Sequence, residues 1–304
     1  MTTARDTDDS HRRTDLVRRV VDARVHRPEA VAEAAARRRR PPRPVGPDGR
    51  VMVIAADHPG RGALGAGDRP LAMADRGELL DRLCLALERP GVTGVLGTPD
   101  VIEDLLLLGR LDGKAVFGSM NRGGLSGAAW EIDDRFTAYD AASLAAMGFE
   151  GGKMLTRIDL EDPATPGVLE ACADAVGALA AAGLVAMVEP FISVRTDGRL
   201  TTDLSTEAAI KASVVAAALG TTSARTWLKV PVVADMDRVA AATTLPTVLL
   251  GGEVRDDQGA AFDSWRRALA APNVIGMVVG RSLLYPRDDD VAAAVDAAVA
   301  LFPD

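Results

Sequence analysis

A chain of 304 residues, 48% hydrophobic and 26% charged, holds enough apolar material for one large α/β domain or two small ones. Its net charge of −8 argues against general nucleic-acid affinity. No run reaches the ~18 uninterrupted apolar residues of a membrane span, and aromatics are only 4%, so the core must be built of Ala, Val, Leu and Ile.

The first 50 residues are unlike the rest. They carry 13 Arg against 6 Asp and 2 Glu, a balance of +5, leaving −13 for the other 254. Charges fill residues 1–13, where a signal peptide needs an apolar run. The two cysteines, Cys84 and Cys172, lie in apolar helical patterns and make no disulfide framework. A reduced, cytoplasmic setting is the expectation.

Residues 10–36 read as one Arg-rich amphipathic helix, with Leu16, Val17, Val20, Val21 and Val25 along one side. Residues 37–44, Arg-Arg-Arg-Arg-Pro-Pro-Arg-Pro, read as a charged, proline-broken linker. Residues 1–47 are thus expected to form an extension, solvated in the simplest reading, and 48–304 the main domain. From residue 51, short β-rich runs alternate with Ala/Leu-rich helical patterns. The runs are 51–56, 93–97, 115–119, 151–158, 184–192, 226–233, 246–251 and 274–280; helical patterns include 163–182, 205–219, 260–271 and 291–301. Eight strands, each followed by a helix over some 250 residues, fit a single (β/α)₈ barrel. A doubly wound sheet would want a glycine-rich phosphate loop after the first strand, and Asp57-His58-Pro59-Gly60-Arg61-Gly62 does not match it.

In such a barrel reactive groups sit at the C-terminal ends of the strands. The first run ends in Asp57-His58, the fourth holds Lys153, Arg157 and Asp159, and the fifth ends in Glu189-Pro190. The sixth ends in Lys229-Val230-Pro231, the seventh in Gly251-Gly252, the eighth in Gly280-Arg281-Ser282.

Lysine use sharpens this list. Of 35 Lys plus Arg only four are Lys, so a lysine kept inside an apolar strand suggests chemistry that arginine cannot do. Lys114, in a turn, and Lys211, four residues after Glu207 on a helix, read as surface lysines. Lys229 lies between Trp227-Leu228 and Val230-Pro231. There it is either half of a buried ion pair, with Glu189 for instance, or an amine made nucleophilic by burial and a second cation nearby. Lys153, two strands away, is the candidate cation, or else a structural partner of Asp57 or Glu189. A carboxylate between two lysines, Glu189, can carry a proton or simply neutralise charge.

Gly251-Gly252 and Gly280-Arg281-Ser282 fall on successive strands and together suggest an anion pocket, with backbone N–H groups and the Arg281 guanidinium as donors. Of three histidines only His58 lies in the barrel, as a substrate contact or part of a turn. A zinc-dependent aldol-cleaving enzyme would want several imidazoles.

These strand ends resemble the bacterial class I aldolases, a group that includes tagatose-1,6-bisphosphate and sulfofructose-phosphate aldolases and, more distantly, archaeal-type fructose-bisphosphate aldolases. The likeness spans roughly residues 50–285. It rests on Asp57-His58 with Arg61-Gly62-Ala63-Leu64, Lys153-Met154-Leu155 with Asp159, and Val188-Glu189-Pro190. It continues through Leu228-Lys229-Val230-Pro231-Val232 and Gly276-Met277-Val278-Val279-Gly280-Arg281. The resemblance implies a Schiff base on Lys229, proton transfer by Glu189, orientation of substrate by Lys153 and Asp57, and a phosphate on Arg281. His58, Arg157, Gly251, Gly252 and Gly280 complete the expected substrate contacts. Three features depart from the tagatose pattern. Gly251-Gly252 replaces a Ser-Ala-Gly type loop, Arg157 stands in place of an aromatic, and the loop Asn121-Arg122-Gly123-Gly124 is individual.

The Arg-rich extension is similar to an actinobacterial branch associated with myo-inositol catabolism. For that branch the implied reaction is cleavage of 5-dehydro-2-deoxy-D-gluconate 6-phosphate to dihydroxyacetone phosphate and malonate semialdehyde. Fructose or tagatose bisphosphate and deoxyribose 5-phosphate are the alternative substrates, and a non-catalytic sugar-phosphate sensor is the alternative of another class. No metal or organic cofactor is expected. The expected partner is a small phosphorylated sugar, with a homo-oligomeric assembly and neither nucleic acid nor membrane.

Overall fold

The computed structural model describes residues 4–252 and 258–302. Residues 1–3 of the expected extension, and 253–257 and 303–304 of the expected main domain, lie outside the described residues.

Nine strands occur among the described residues: β1 (Val51–Ala56), β2 (Gly94–Gly97), β3 (Ala115–Ser119), β4 (Gly151–Ile158), β5 (Val185–Thr196), β6 (Arg199–Thr202), β7 (Thr226–Pro231), β8 (Thr247–Leu250) and β9 (Val274–Val279). All but β6 pair in parallel, and because β4 also pairs β5 the sheet closes on itself. The result is an eight-stranded (β/α)₈ barrel.

Alternation along each strand decides what faces the axis. Val53, Ala55, Phe117, Val185, Met187, Trp227, Val248 and Val278 belong to one buried cluster that fills the barrel. Their odd-numbered successors Asp57, Ser119, Glu189 and Lys229 therefore continue the inward face upward, towards the C-terminal rim. Intervening residues such as Met52, Ile54, Val95 and Val116 join the larger core beneath the helices.

Those helices are α3 (Arg76–Glu88), α4 (Pro99–Leu107), α5 (Ala141–Ala146), α6 (Thr165–Ala181), α7 (Thr206–Ala217), α8 (Met236–Ala241), α9 (Gln258–Ala268), α10 (Arg281–Leu284) and α11 (Val291–Val299), preceded by α1 (Ala4–His26) and α2 (Ala30–Arg37). Short polar side chains start several of them. Asp75 accepts from the Glu78 N–H at 2.8 Å, Ser205 from Ala208 at 3.2 Å and Asp290 from Ala293 at 2.9 Å, each cap worth about 1 kcal/mol. Among the described residues no helix is long and apolar enough to cross a membrane.

Three expectations need correction. Residues 10–36 are not one helix: the chain breaks between α1 and α2 at Arg27-Pro28-Glu29, because proline lacks an N–H and disfavours helical backbone in the residue before it. Nor is the extension free of the barrel. Leu16 and Val20 are buried, Arg12 pairs with Asp81 at 2.7 Å, and Arg24 pairs with Asp104 at 2.9 Å. Farther on, Arg38 is buried and donates to the Lys114 and Gly148 carbonyls at 2.7 and 2.6 Å and to Glu150 at 3.1 Å.

The fifth barrel strand does not end at Glu189-Pro190. It runs on to Thr196 and turns through Asp197 (φ 50°) and Gly198 (φ 76°) into antiparallel β6. Positive φ at both turn residues is the geometry of a two-residue Asp-Gly hairpin.

Candidate active site

The barrel brings Lys153, Glu189, Lys229 and Asp57 together. Ser119 on β3 pairs in register with Lys153 on β4, and Leu155 on β4 with Glu189 on β5. Val188 pairs with Leu228, so the residues after them, Glu189 and Lys229, are neighbours on the inner face. Lys229 Nζ lies 2.8 Å from Glu189 Oε1. The other oxygen, Oε2, takes the Lys153 amine, whose Nζ also lies 3.1 Å from Asp57 Oδ2. One carboxylate therefore spans two ammonium groups, and one lysine spans two carboxylates.

Burial makes these contacts strong. Lys153 is 1%, Asp57 2%, Lys229 3% and Glu189 8% exposed. Burial alone would raise the Asp57 carboxyl, but Lys153, Arg122, Lys229 and His58 outweigh it and hold the group well below the usual carboxylate range. Burial likewise opposes ionisation of Glu189, yet Lys153 and Lys229 bring it down to about 2. For Lys153 burial dominates. Despite Asp57 and Glu189, and with Arg122 and Lys229 adding repulsion, its amine is pushed down to about 8. That places a proton donor or acceptor close to neutral pH.

His58 stands at the edge of this cluster, 3.9 Å from Asp57 through Nδ1. Burial, reinforced by Arg281 and Lys229 against Asp57 and Glu189, pushes it down to about 3, so the ring is neutral at pH 7. Gly280 packs against it: a Cβ there would run into the Ala55 carbonyl and approach His58 Cε1 at 3.2 Å. Arg281 follows, with Nη1 3.5 Å from the Gly65 carbonyl, and forms part of the wall of a cleft of about 1120 Å³. Arg69, Ser126 and Tyr285 line the same cleft. Gly251 touches this region from β8, where a Cβ would come 3.0 Å from Ser282 Oγ and collide with Val279. Gly252 beside it is exposed, with φ 66°. The amines do not themselves line the cleft, which Arg281 does.

Arg157 is placed differently from the cluster. Its Nε donates to Asp134 at 2.8 Å, Nη1 to Glu131 at 3.0 Å, and Nη2 to the carbonyls of Gly124 and Glu131. The guanidinium is thereby occupied in holding the loop between β3 and α5. Lys114 is half-buried and donates to the Val92 carbonyl at 2.7 Å, and burial lowers its amine. Lys211 is exposed.

Two neighbours of the cluster lie outside the candidates that the sequence offers. Ser119 Oγ lies 3.1 Å from Asp57 Oδ2, and Arg122 lies 3.2 Å from the same oxygen. The signal was present: Ser119 ends the third run, and Arg122 stands in the loop that departs from the tagatose pattern. Among the described residues no three His, Cys, Asp or Glu side chains form a set that could hold a metal ion.

Comparison with solved structures aligns the chain with Cgl0159 from Corynebacterium glutamicum, at 51% identity over 94% of this chain and 96% of that one, with a TM-score of 0.92. It also aligns with a Schiff-base-forming fructose-1,6-bisphosphate aldolase, at 16% identity over 90% and 100% of the two chains, TM-score 0.63. An archaeal fructose-1,6-bisphosphate aldolase matches at 17% identity over 89% and 98%, TM-score 0.63. At such identities the likeness to the aldolases is one of fold. Comparison with curated proteins finds no match. The Cgl0159-like family model matches residues 49–299, and the chain belongs to the Cgl0159-like family.

Proposed function

We propose that this chain is a class I aldolase that cleaves a phosphorylated keto-sugar or sugar acid through a Schiff base on Lys229. The observation that carries the reading is the buried Lys153–Glu189–Lys229 bridge on the inner face of a barrel whose relatives in fold include Schiff-base aldolases. One of those archaeal enzymes is described with its catalytic lysine bound covalently as a carbinolamine.

In this mechanism Lys229 passes a proton to Glu189 and its nitrogen lone pair attacks the substrate ketone. The carbinolamine loses its hydroxyl as water, with the proton supplied by Glu189, and becomes an iminium. Glu189, a carboxylate again after the loss of water, takes the proton of the hydroxyl on the departing fragment while the iminium accepts the electron pair of the breaking C–C bond; an aldehyde leaves, and Glu189 returns that proton to the enamine carbon. Water then hydrolyses the iminium, releasing the ketone product and the lysine. Lys153 and Asp57 orient the reacting hydroxyl groups, and Arg281 with the glycines at 251, 252 and 280 holds the phosphate. The substrate best fitting the family resemblance is 5-dehydro-2-deoxy-D-gluconate 6-phosphate, giving dihydroxyacetone phosphate and malonate semialdehyde.

Aldehyde release is to be measured with that compound and with fructose 1,6-bisphosphate, tagatose 1,6-bisphosphate and deoxyribose 5-phosphate. Turnover of one of them that vanishes in Lys229→Arg supports the reading; turnover retained in Lys229→Arg sinks it. The near-complete burial of both amines favours a second reading, a sugar-phosphate sensor without turnover. It expects binding of these compounds by wild type and Lys229→Arg alike, and cleavage by neither.

A further inference from the structure

We propose that Arg122 is a positioning residue that holds Asp57 against Lys153 and so fixes the geometry of the proton-carrying end of the site. The inference rests on the aldolase reading for its kinetic consequences but on geometry for itself. Arg122 stands in the loop after β3, is 6% exposed, and grips Asp57 twice, through the carboxylate oxygen Oδ2 at 3.2 Å and the backbone carbonyl at 3.3 Å. Its Nε donates to the Asn121 carbonyl at 2.8 Å. Asn121 is itself bonded both ways to the Leu155 backbone on β4, at 2.6 and 2.7 Å. Ser119 and Lys153 each lie 3.1 Å from the same Asp57 oxygen. Oδ2 is thus the meeting point of a hydroxyl, an ammonium and a guanidinium, and the guanidinium ties it through Asn121 to the Leu155 backbone on β4.

The charges around Lys153 give this contact a consequence that packing alone would not have. From β1 Lys153 faces Asp57, from β5 Glu189, from β7 Lys229, and from the β3 loop Arg122. His58 bears on the Asp57 side of the same cluster. Arg122 shares the Asp57 charge with Lys153 and repels its ammonium directly. Without Arg122, the Asp57 charge would bear more fully on Lys153, and the amine would hold its proton to higher pH.

The experiment labels the ε-carbons of lysine with ¹³C in full-length protein. With only four lysines in the chain, Lys153 is assignable by comparison with Lys153→Met. In Arg122→Gln the Lys153 titration is expected to move up by about one pH unit, while in Arg122→Lys, which keeps the charge, it is expected to stay near the wild-type position. With an active substrate, kcat of Arg122→Gln is expected to fall about 10- to 100-fold with KM little changed, and the alkaline limb of the kcat profile to move with Lys153. An unmoved Lys153 titration in a folded Arg122→Gln protein overturns the proposal, as does a fall in kcat with an unmoved limb. Should Arg122→Gln not fold, Arg122→Lys decides: its shorter side chain is expected to lower kcat, and a wild-type kcat overturns the proposal. If no sugar phosphate is cleaved at all, it is the aldolase reading that fails, and the lysine titration still tests Arg122.

Discussion

Lys229 and Glu189 stand on adjacent barrel strands with Nζ and Oε1 2.8 Å apart, both almost wholly shielded from solvent. A buried ion pair of this kind is a poor source of stability, because desolvation offsets most of the attraction. Its position on the inner face, one layer above Trp227 and Met187, is where the proposed chemistry requires it.

Glu189→Gln keeps the shape of that side chain and removes the charge that two ammonium groups share. Aldol cleavage is expected to fall about 10²- to 10⁴-fold, the usual worth of a positioned acid–base group. Steady-state kinetics on the substrate found by the cleavage panel checks it; activity within a few fold of wild type would assign proton transfer elsewhere.

The same carboxylate governs stability in acid. Glu189 is held at about 2 in the folded protein against an ordinary 4.5, so its contribution is present above 4.5 and is lost as pH falls from there towards 2. Asp57, also depressed, acts in the same direction. Denaturant unfolding between pH 2 and 6 is expected to show a shallower fall of stability for Glu189→Gln than for wild type. Parallel curves would contradict the ionised pair.

Gly124 is expected to tolerate no side chain. A Cβ there would come 2.7 Å from Asp134 Oδ1 and collide with Arg157 Nη2 and the Glu131 carbonyl. Gly124→Ala should destabilise the protein by about 1–3 kcal/mol through overpacking, lowering Tm by several degrees. Thermal unfolding reads this directly, and an unchanged Tm would mean that Arg157 does not clamp the loop.

Cutting the Arg38–Glu150 link is expected to free the N-terminal segment from the barrel. Among the described residues, Arg38→Ala leaves the buried Glu150 with only the half-exposed Arg40 as ionic partner, at 3.0 Å. Breaking a buried pair from one side typically costs about 3–5 kcal/mol. Limited trypsin digestion should then cleave within residues 37–50 at least tenfold faster than in wild type, since local opening is what proteolysis reads. Equal cleavage rates would show that the segment is held by α1 alone.

Much of this was legible in the residues. The eight parallel strands coincide with the apolar runs, because each barrel strand is buried on both faces and so appears as an unbroken run. Asp57, Lys153, Glu189 and Lys229 could be gathered because each is a polar residue at or near the end of such a run. The hairpin after Glu189 is signalled by Asp197-Gly198 alone, since β6 is largely exposed and lacks an apolar run. Pro28 likewise marked a break that the valine stripe of the first helix concealed. What the sequence could not supply was pairing between loops. Nothing in the spacing of Arg157, Glu131 and Asp134 says that they meet, nor that Arg122 turns back onto Asp57.

The most direct test is borohydride reduction of the protein with dihydroxyacetone phosphate, followed by peptide mass spectrometry. The account expects one stable adduct, on the peptide containing Lys229, and none there when Lys229 is replaced by arginine. No adduct on wild-type protein, or an adduct on Lys153 instead, would contradict it.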